Sequence, residues 1–253
     1  MSRHLYISPH LDDVVFSCGG LIVRQISGGD IVTVLTLFAG DPPGVSLSPF
    51  AQELHLRWGI GPRAVAERRK EDLLACGYLG ATAVHCDFPE AIYRQNKVRG
   101  WVYPSEEAIF CAPDESETGL AAHLANVIQP ALKEAVNLYA PLGLGGHADH
   151  ILCRRAVSEL NVEVWYYADF PYANRQEAIP PSLARPAGDM LLVDLQSEEL
   201  DQWVHAIAEY RTQLSTFWKD FSSLRTEIHH YHDQNQGIGI IAPAGKSFQD
   251  LLG

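Results

Sequence analysis

Residues 5–38 read LYISPHLDDVVFSCGGLIVRQISGGDIVTVLTLF, and the order of patterns in this stretch decides the fold. Leu5 to Ser8 is a short apolar run that stops at Pro9. Asp13 to Ile26 places apolar residues at helical spacing, with the small pair Gly19-Gly20 inside. Gly28-Gly29 breaks the chain, and Ile31 to Phe38 is β-branched and nearly continuous, as a strand buried on both faces must be. Outward from here the alternation repeats. A helix opened by Gly61-Pro62 runs through Cys76, with Gly77 as its stop, and Ala83 to Phe88 is a strand. Leu120 to Tyr139 reads as a long helix kinked at Pro130, and Leu138 to Leu142 as a short strand. His147 to Leu160 is helical and Val162 to Tyr167 is again a strand.

Such alternation predicts an α/β fold: a Rossmann-like, mostly parallel sheet with helices on both faces. Two stretches interrupt it. Arg94 to Thr118 lacks periodicity and reads as a functional loop or lid, and Pro171 to Asp189 reads as a connector. Beyond lie a strand (Met190 to Leu195), an amphipathic helix and a last apolar segment, Ile238 to Ala242. The helix carries Trp203, Ile207, Tyr210, Leu214 and Phe217 on one face, a core stripe. The expectation is one domain over residues 1–253. Residues 1–175 form its core, and residues 176–253 pack on it as a small C-terminal strand-helix-strand extension.

Composition narrows the function. The 253 residues are 47% hydrophobic and 20% charged, ordinary for a globular protein, and 19 basic against 31 acidic side chains give a net charge of −12. That balance excludes nucleic acid and anionic membrane surfaces as general partners, since both need a basic face. The longest apolar run, Ile31 to Ala39, is far shorter than the roughly 20 residues that cross a bilayer, so no membrane insertion is expected. No apolar signal segment precedes the first strand, and the five cysteines are scattered without a C-x-x-C pair. A cytoplasmic protein with reduced thiols is expected.

Two constellations carry chemistry. Ser8-Pro9-His10-Leu11-Asp12-Asp13 follows the first strand, where an open parallel sheet places its ligand crevice. His10 and Asp13 are three apart and can face one divalent metal, which leaves Asp12 for proton transfer; an aspartate N-cap in a polar turn explains the same residues without a metal. Gly143-Leu-Gly-Gly-His147-Ala-Asp149-His150 follows a later strand and opens a helix. One histidine from it completes a two-His, one-carboxylate set with His10 and Asp13. Three protein ligands and an open position make a catalytic zinc site, whereas a structural site closes with four, usually including Cys.

Pro9-His10-x-Asp12-Asp13 with Gly-x-x-x-His147-x-Asp149-His150 resembles the PIG-L/LmbE-like family of zinc-dependent N-deacetylases. Arg68-Arg69-Lys70-Glu71 with Leu79-Gly80 is similar to that family's R-x-x-E helix followed by Leu-Gly, and Asp87-Phe-Pro, Tyr93-Arg94 and Tyr166-Tyr167-Ala-Asp169-Phe-Pro171-Tyr172 resemble a subgroup. The resemblance spans roughly the first 175 residues. Leu11 and Val14 depart from the Pro and Glu that many members carry, neither of them at a ligand position.

The resemblance implies one Zn²⁺ per chain on His10, Asp13 and His150, although the same donors suit Fe²⁺ and Mn²⁺. Asp12 would be the general base, a protonated His147 would stabilise the oxyanion, and Asp149 would hydrogen-bond His147 and raise its pKa. The substrate would be a small molecule, an N-acetylglucosamine-type amino sugar or glycoconjugate that loses its acetyl group. Arg68, Tyr93, Trp101, Tyr167 and Tyr172 are candidates to bind it; a surface ion pair for Arg68 and core packing for the tyrosines compete with that role. Association into homo-oligomers is expected of such a fold.

Other chemistries fit parts of the pattern. An amidase on another small amide, such as a thiol conjugate, would use the same zinc site. A non-haem Fe(II) oxygenase would use His147-x-Asp149 with a distal His229, His230 or His232, but it calls for an all-β scaffold. A nucleotide-binding module built on Gly143, Gly145 and Gly146 fails the G-x-G-x-x-G spacing.

Overall fold

Seven strands form the main sheet of the computed structural model, which describes residues 1–252 apart from 45, 62, 133–136 and 176. The first half of the chain contributes β1 (Arg3–Ser8), α1 (Asp13–Ser27), β2 (Ile31–Thr36), α2 (Pro49–Arg57), α3 (Ala64–Leu79) and β3 (Thr82–His85). A two-stranded hairpin of β4 (Gln95–Asn96) and β5 (Gly100–Trp101), then α4 (Glu106–Ile109), occupies the aperiodic stretch. There follow α5 (Leu120–Ile128), β6 (Asn137–Pro141), α6 (Ala148–Ser158), β7 (Val164–Tyr167), β8 (Met190–Val193), α7 (Ser197–Ala208), α8 (Arg211–Phe217), α9 (Phe221–Asn235), β9 (Ile238–Ile241) and α10 (Phe248–Leu252).

The strand order is β3-β2-β1-β6-β7-β9-β8. From β3 to β7 neighbours are parallel, while β9 runs antiparallel to both β7 and β8. This is the mostly parallel, helix-flanked sheet that the alternation predicts. The chain lays β2 and β3 on one side of β1, then crosses to lay β6 on the other. The C-terminal ends of β1 and β6 therefore border the crevice where such sheets bind ligands.

Strand side chains alternate between two cores. Tyr6, Val32, Val34 and Tyr139 pack with α1, α3, α7 and α9, whereas Leu5, Ile7, Leu35 and Leu138 pack with α5 and α6. Each such aliphatic contributes about 1.5–3 kcal/mol when fully buried. The small pair in α1 has a packing reason. A Cβ on Gly19 would collide with the Trp203 indole and one on Gly20 with Leu195, so only glycine lets the C-terminal part sit this close. Trp203 Nε1 then donates to the Val15 carbonyl at 2.7 Å.

Several boundaries differ from the sequence reading. The helix expected over 120–139 ends at Ile128; Gln129–Leu132, which contains Pro130, is a 3₁₀ turn, and the chain is a strand from Asn137. Proline lacks the N–H that would carry the ladder on. The amphipathic stripe of 203–217 belongs to two helices, because Tyr210 leaves helical geometry (φ −81, ψ 61) and its hydroxyl donates to Asp72 Oδ1 at 2.6 Å. The extension holds three longer helices between β8 and β9, not one, and α2 had no counterpart in the sequence reading. Gly80, at φ 83, stops α3 in place of Gly77, and Pro62 lies outside the described residues. Among the described residues no helix is long and apolar enough to cross a membrane.

Candidate functional site

The loop after β1 is held by its own short polar side chains. Ser8 Oγ donates to the His10 carbonyl at 2.6 Å and accepts from the Val14 amide at 3.3 Å. Asp12 sits at φ 144, a conformation that costs a non-glycine residue of the order of 1–3 kcal/mol and persists only where the surroundings impose it. Its carboxylate makes no capping bond to α1 and lies 3.5 Å from Arg68 Nη2. Asp13 turns elsewhere: Oδ2 accepts from the His10 amide at 2.8 Å and is 3.2 Å from both His10 Nδ1 and His150 Nε2.

The second loop arrives from β6. His147 caps α6, with Nδ1 accepting from the Asp149 amide at 3.1 Å, which leaves the ring proton on Nε2. His10, His147 and His150 each bring a nitrogen into one group whose atoms lie within 4.8 Å of one another. The far nitrogens of two of these rings are taken. His10 Nε2 donates to Asp149 Oδ2 at 2.9 Å, and His150 Nδ1 donates to Asp169 Oδ1 at 2.7 Å. Imidazoles tied from outside by carboxylates present a basic inner nitrogen in fixed orientation, the usual arrangement around a metal. The donor set of His10 Nδ1, Asp13 and His150 Nε2 thus fits a divalent cation, and His147 stands beside it.

Burial sets the electrostatics, and neighbours decide the signs. Burial, and then the adjacent Asp13, push the Asp12 carboxyl well above its usual range, against the pull of Arg68. For Asp13 burial pushes up, but His150 and His10 outweigh it and hold the carboxyl well below. Burial opposes charge on His150, yet Asp13 and Asp169 push it up to about 9. Burial followed by the nearby His10 drives His147 well below the ordinary imidazole value.

The two loops bring together His10, Asp12, Asp13, His147, Asp149 and His150. The proposed substrate contacts fare differently. Arg68 is buried between the carboxylates of Asp12 and Glu90, with its guanidinium 4.8 Å from the Trp58 ring, so it is no surface ion pair. Tyr172 reaches the centre, its ring 5.9 Å from that of His150. Tyr93 and Tyr167 are fully buried, donating to or paired with His55 Nε2 and the Ile7 carbonyl, and belong to the core. Trp101 pairs with Gln95 in the hairpin and makes none of these contacts.

One expectation is corrected. The Asp149 carboxylate serves His10, the Ala91 amide (2.9 Å) and Arg94 Nη1 (2.6 Å), so it is not the hydrogen-bond partner of His147; its charge does pull the His147 pKa up, but burial and His10 outweigh it and the net shift is downward. Nor does an oxygenase set assemble around His147-x-Asp149: His229 faces Asp201, His232 Nε2 accepts from the Leu195 amide, and His230 is exposed on α9.

Sequence reasoning passed over Glu90 and Phe110, and it quoted Arg94 and Asp169 only as marks of the resemblance, without a role. Asp169 was findable, because it stands two residues past β7 just as His10 stands two past β1. Phe110, 5.6 Å from His147 and 6.1 Å from Tyr172 by ring centroids, comes from the aperiodic stretch and carried no signal.

A parallel α/β sheet with a His/Asp/His cluster at its switch point defines a class of proteins with a metal-competent centre. Residues 5–161 match the GlcNAc-PI de-N-acetylase (PIG-L) family, and the chain belongs to that family. It is 31% identical over 183 residues to a 2'-N-acetylparomamine deacetylase of Streptomyces fradiae, covering 70% of this chain and 60% of that protein. It is 29% identical over 184 residues to a 2'-N-acetylparomamine deacetylase of Niallia circulans, covering 66% of each. The chain thus spans about three fifths to two thirds of the curated relatives it matches. Among solved structures, the zinc-inhibited form of a teicoplanin deacetylase superposes with a TM-score of 0.82 at 28% identity, covering 97% of this chain and 100% of that one.

Proposed function

We propose that this chain is a metal-dependent deacetylase that hydrolyses the acetamide of an N-acetylated amino sugar or glycoconjugate. The observation that carries the reading is the convergence of His10 Nδ1, Asp13 and His150 Nε2, with both outer imidazole nitrogens already held by carboxylates. The named activities of the relatives, deacetylation of acetylparomamine and of teicoplanin, support it. These three residues would hold one zinc ion per chain. When bound, such an ion lowers the pKa of a coordinated water from 15.7 to about 7 and polarises the amide carbonyl.

The chain's own residues would do the rest. Asp12, whose carboxyl is shifted upward and restrained by Arg68, takes the proton of the attacking water and returns it to the leaving amine nitrogen. His147 has its Nδ1 engaged by a backbone N–H and so offers Nε2–H to the carbonyl oxygen as charge develops there; it acts as a neutral donor. Water and acetamide give acetate and the protonated amine, both protons of the water ending on the nitrogen. Tyr172 and Phe110 wall the approach to His147 and would face the sugar. The thiol-conjugate amide has no observation in its favour.

The test combines metal content with turnover. Wild type should carry one zinc and release acetate from N-acetylated aminoglycosides or N-acetylglucosamine conjugates. His150→Ala should lose both metal and activity, whereas Asp12→Asn should keep the metal and lose most of kcat. Full activity in metal-stripped protein, or metal retained by His150→Ala, would overturn the reading.

A further inference from the structure

Arg94 opens the aperiodic stretch, yet its side chain points back into the protein and is buried. Its guanidinium lies over the Phe38 ring at 5.0 Å and the Tyr103 ring at 5.2 Å, which fixes its plane. One edge serves the stretch that follows: Nε lies 2.5 Å from Glu117 Oε1 and Nη2 donates to Glu117 Oε2 at 3.3 Å. Tyr103 in turn donates to Glu117 Oε2 at 2.6 Å and accepts from the Asp114 amide at 3.1 Å. From the other edge Nη1 reaches Asp149 Oδ1 at 2.6 Å, while Asp149 Oδ2 accepts from His10 Nε2 at 2.9 Å. Asp149 is fully buried, and among the described residues its charge is met by Arg94, His10 and the Ala91 amide.

We propose that Arg94 is a positioning residue for the metal centre, and that residues 95–118 act on the centre through it. Glu117 and Tyr103 fix the guanidinium, the guanidinium fixes Asp149, and Asp149 fixes the His10 ring with Nδ1 toward Asp13. A planar fork suits this task because it holds two carboxylates at once, in one geometry; an ammonium group cannot span both. The same stretch presents Phe110 to His147, so one element both walls the site and sets a ligand's orientation. This inference rests on the reading of His10, Asp13 and His150 as metal ligands.

The experiment strips metal from the full-length protein with a chelator and titrates Zn²⁺ back against a fluorescent competitor. Wild type, Arg94→Gln, Arg94→Lys, Glu117→Gln and His150→Ala are compared, with thermal unfolding recorded beside each titration. Changes to groups that orient a metal ligand typically cost 10–100-fold in metal affinity, and Arg94→Gln should lose about that much. Arg94→Lys should recover part of it, and Glu117→Gln should lose less than Arg94→Gln because the Asp149 contact survives. At saturating zinc kcat should fall with KM nearly unchanged. A merely structural role predicts a lower unfolding temperature with zinc affinity as in wild type, and that result overturns the proposal. Should Arg94→Gln fail to unfold cooperatively, wild-type zinc affinity in both Arg94→Lys and Glu117→Gln overturns it equally. Zinc affinity kept by His150→Ala refutes the metal reading itself, whereas affinity lost there but kept in the Arg94 and Glu117 variants refutes only this inference.

Discussion

Asp169→Asn is the sharpest perturbation the site allows, because it changes neither volume nor shape. Asp169 Oδ2 accepts from the Gly143 amide at 2.9 Å and the Leu144 amide at 3.1 Å, while Oδ1 accepts from His150 Nδ1 at 2.7 Å. An asparagine has one carbonyl and one NH₂ to distribute over these positions. Placing the NH₂ against the two amides would set donors against donors, so the carbonyl must take the Oδ2 position and the NH₂ must face His150. Nδ1 then has to accept, and the ring proton moves to Nε2, the nitrogen that faces Asp13 at 3.2 Å. That tautomer cannot donate a lone pair toward the centre. The expected loss of metal affinity is about 10–100-fold, or about 1.4–2.8 kcal/mol at 1.4 kcal/mol per factor of ten. Zinc competition titration measures it, and long-range proton–nitrogen NMR correlations of the metal-free protein, recorded above the raised His150 pKa of about 9 so that the ring is neutral, read the tautomer directly. Wild-type zinc affinity together with an Nδ1-protonated His150 would refute the reasoning.

Three further outcomes follow from particular contacts. Burial and the nearby Arg68 hold His55 below the ordinary imidazole value, against Glu90, so the unfolded chain takes up a proton first. The His55 contribution to stability should therefore be fullest above a pH of about 6.5 and be lost as pH drops below it; the difference in urea midpoint between wild type and His55→Gln, taken at stepped pH, should follow that course. Tyr210→Phe removes a donor from Asp72, which is 2% exposed and, among the described residues, keeps only His85 at 2.7 Å, and should cost about 1–3 kcal/mol in urea unfolding while leaving zinc affinity alone. Gly145→Ala puts a Cβ 2.5 Å from the Tyr172 ring on a residue at φ 79, so it should raise KM by displacing that ring and lose about 1–2 kcal/mol; unchanged KM and stability would remove Tyr172 from the substrate wall.

What was legible in the sequence is what local pattern encodes. Charged residues that end apolar strand runs, His10 to Asp13 and His147 to His150, stand out because a buried sheet end has no structural use for them. Their outer partners are a different matter. His10 meets Asp149 across 139 residues, and which carboxylate serves which ring depends on the strand order, not on spacing. That is why Asp149 was assigned to its neighbour His147. The break at Tyr210 was invisible for a related reason: the three-and-four spacing of apolar residues continues through it, while its cause is a carboxylate on α3. Tyr93 and Tyr167 were drawn toward the site because an aromatic on a core face and one on a ligand face read alike.

The charges near the centre also constrain what it can recognise. Asp12, Asp13, Glu90, Asp149 and Asp169 surround it, and the two guanidiniums close by are both engaged, Arg68 by Asp12 and Glu90, Arg94 by Asp149 and Glu117. Moving either cation onto a substrate phosphate or carboxylate would leave buried acids unpaired, a change that costs several kcal/mol. A neutral acetamide that becomes a cationic amine meets no such penalty, since the product's charge is favoured by the acids already there. The faces open to it are the rings of Phe110 and Tyr172, which suit the apolar face of a sugar. The net charge of −12 acts in the same sense at longer range, drawing polyamino compounds toward the chain and turning anionic ones away. The pairing of Arg68 and Arg94 thus leaves neither guanidinium free for a substrate phosphate or carboxylate, even though the proposed catalytic groups themselves would act on any acetamide that reached them.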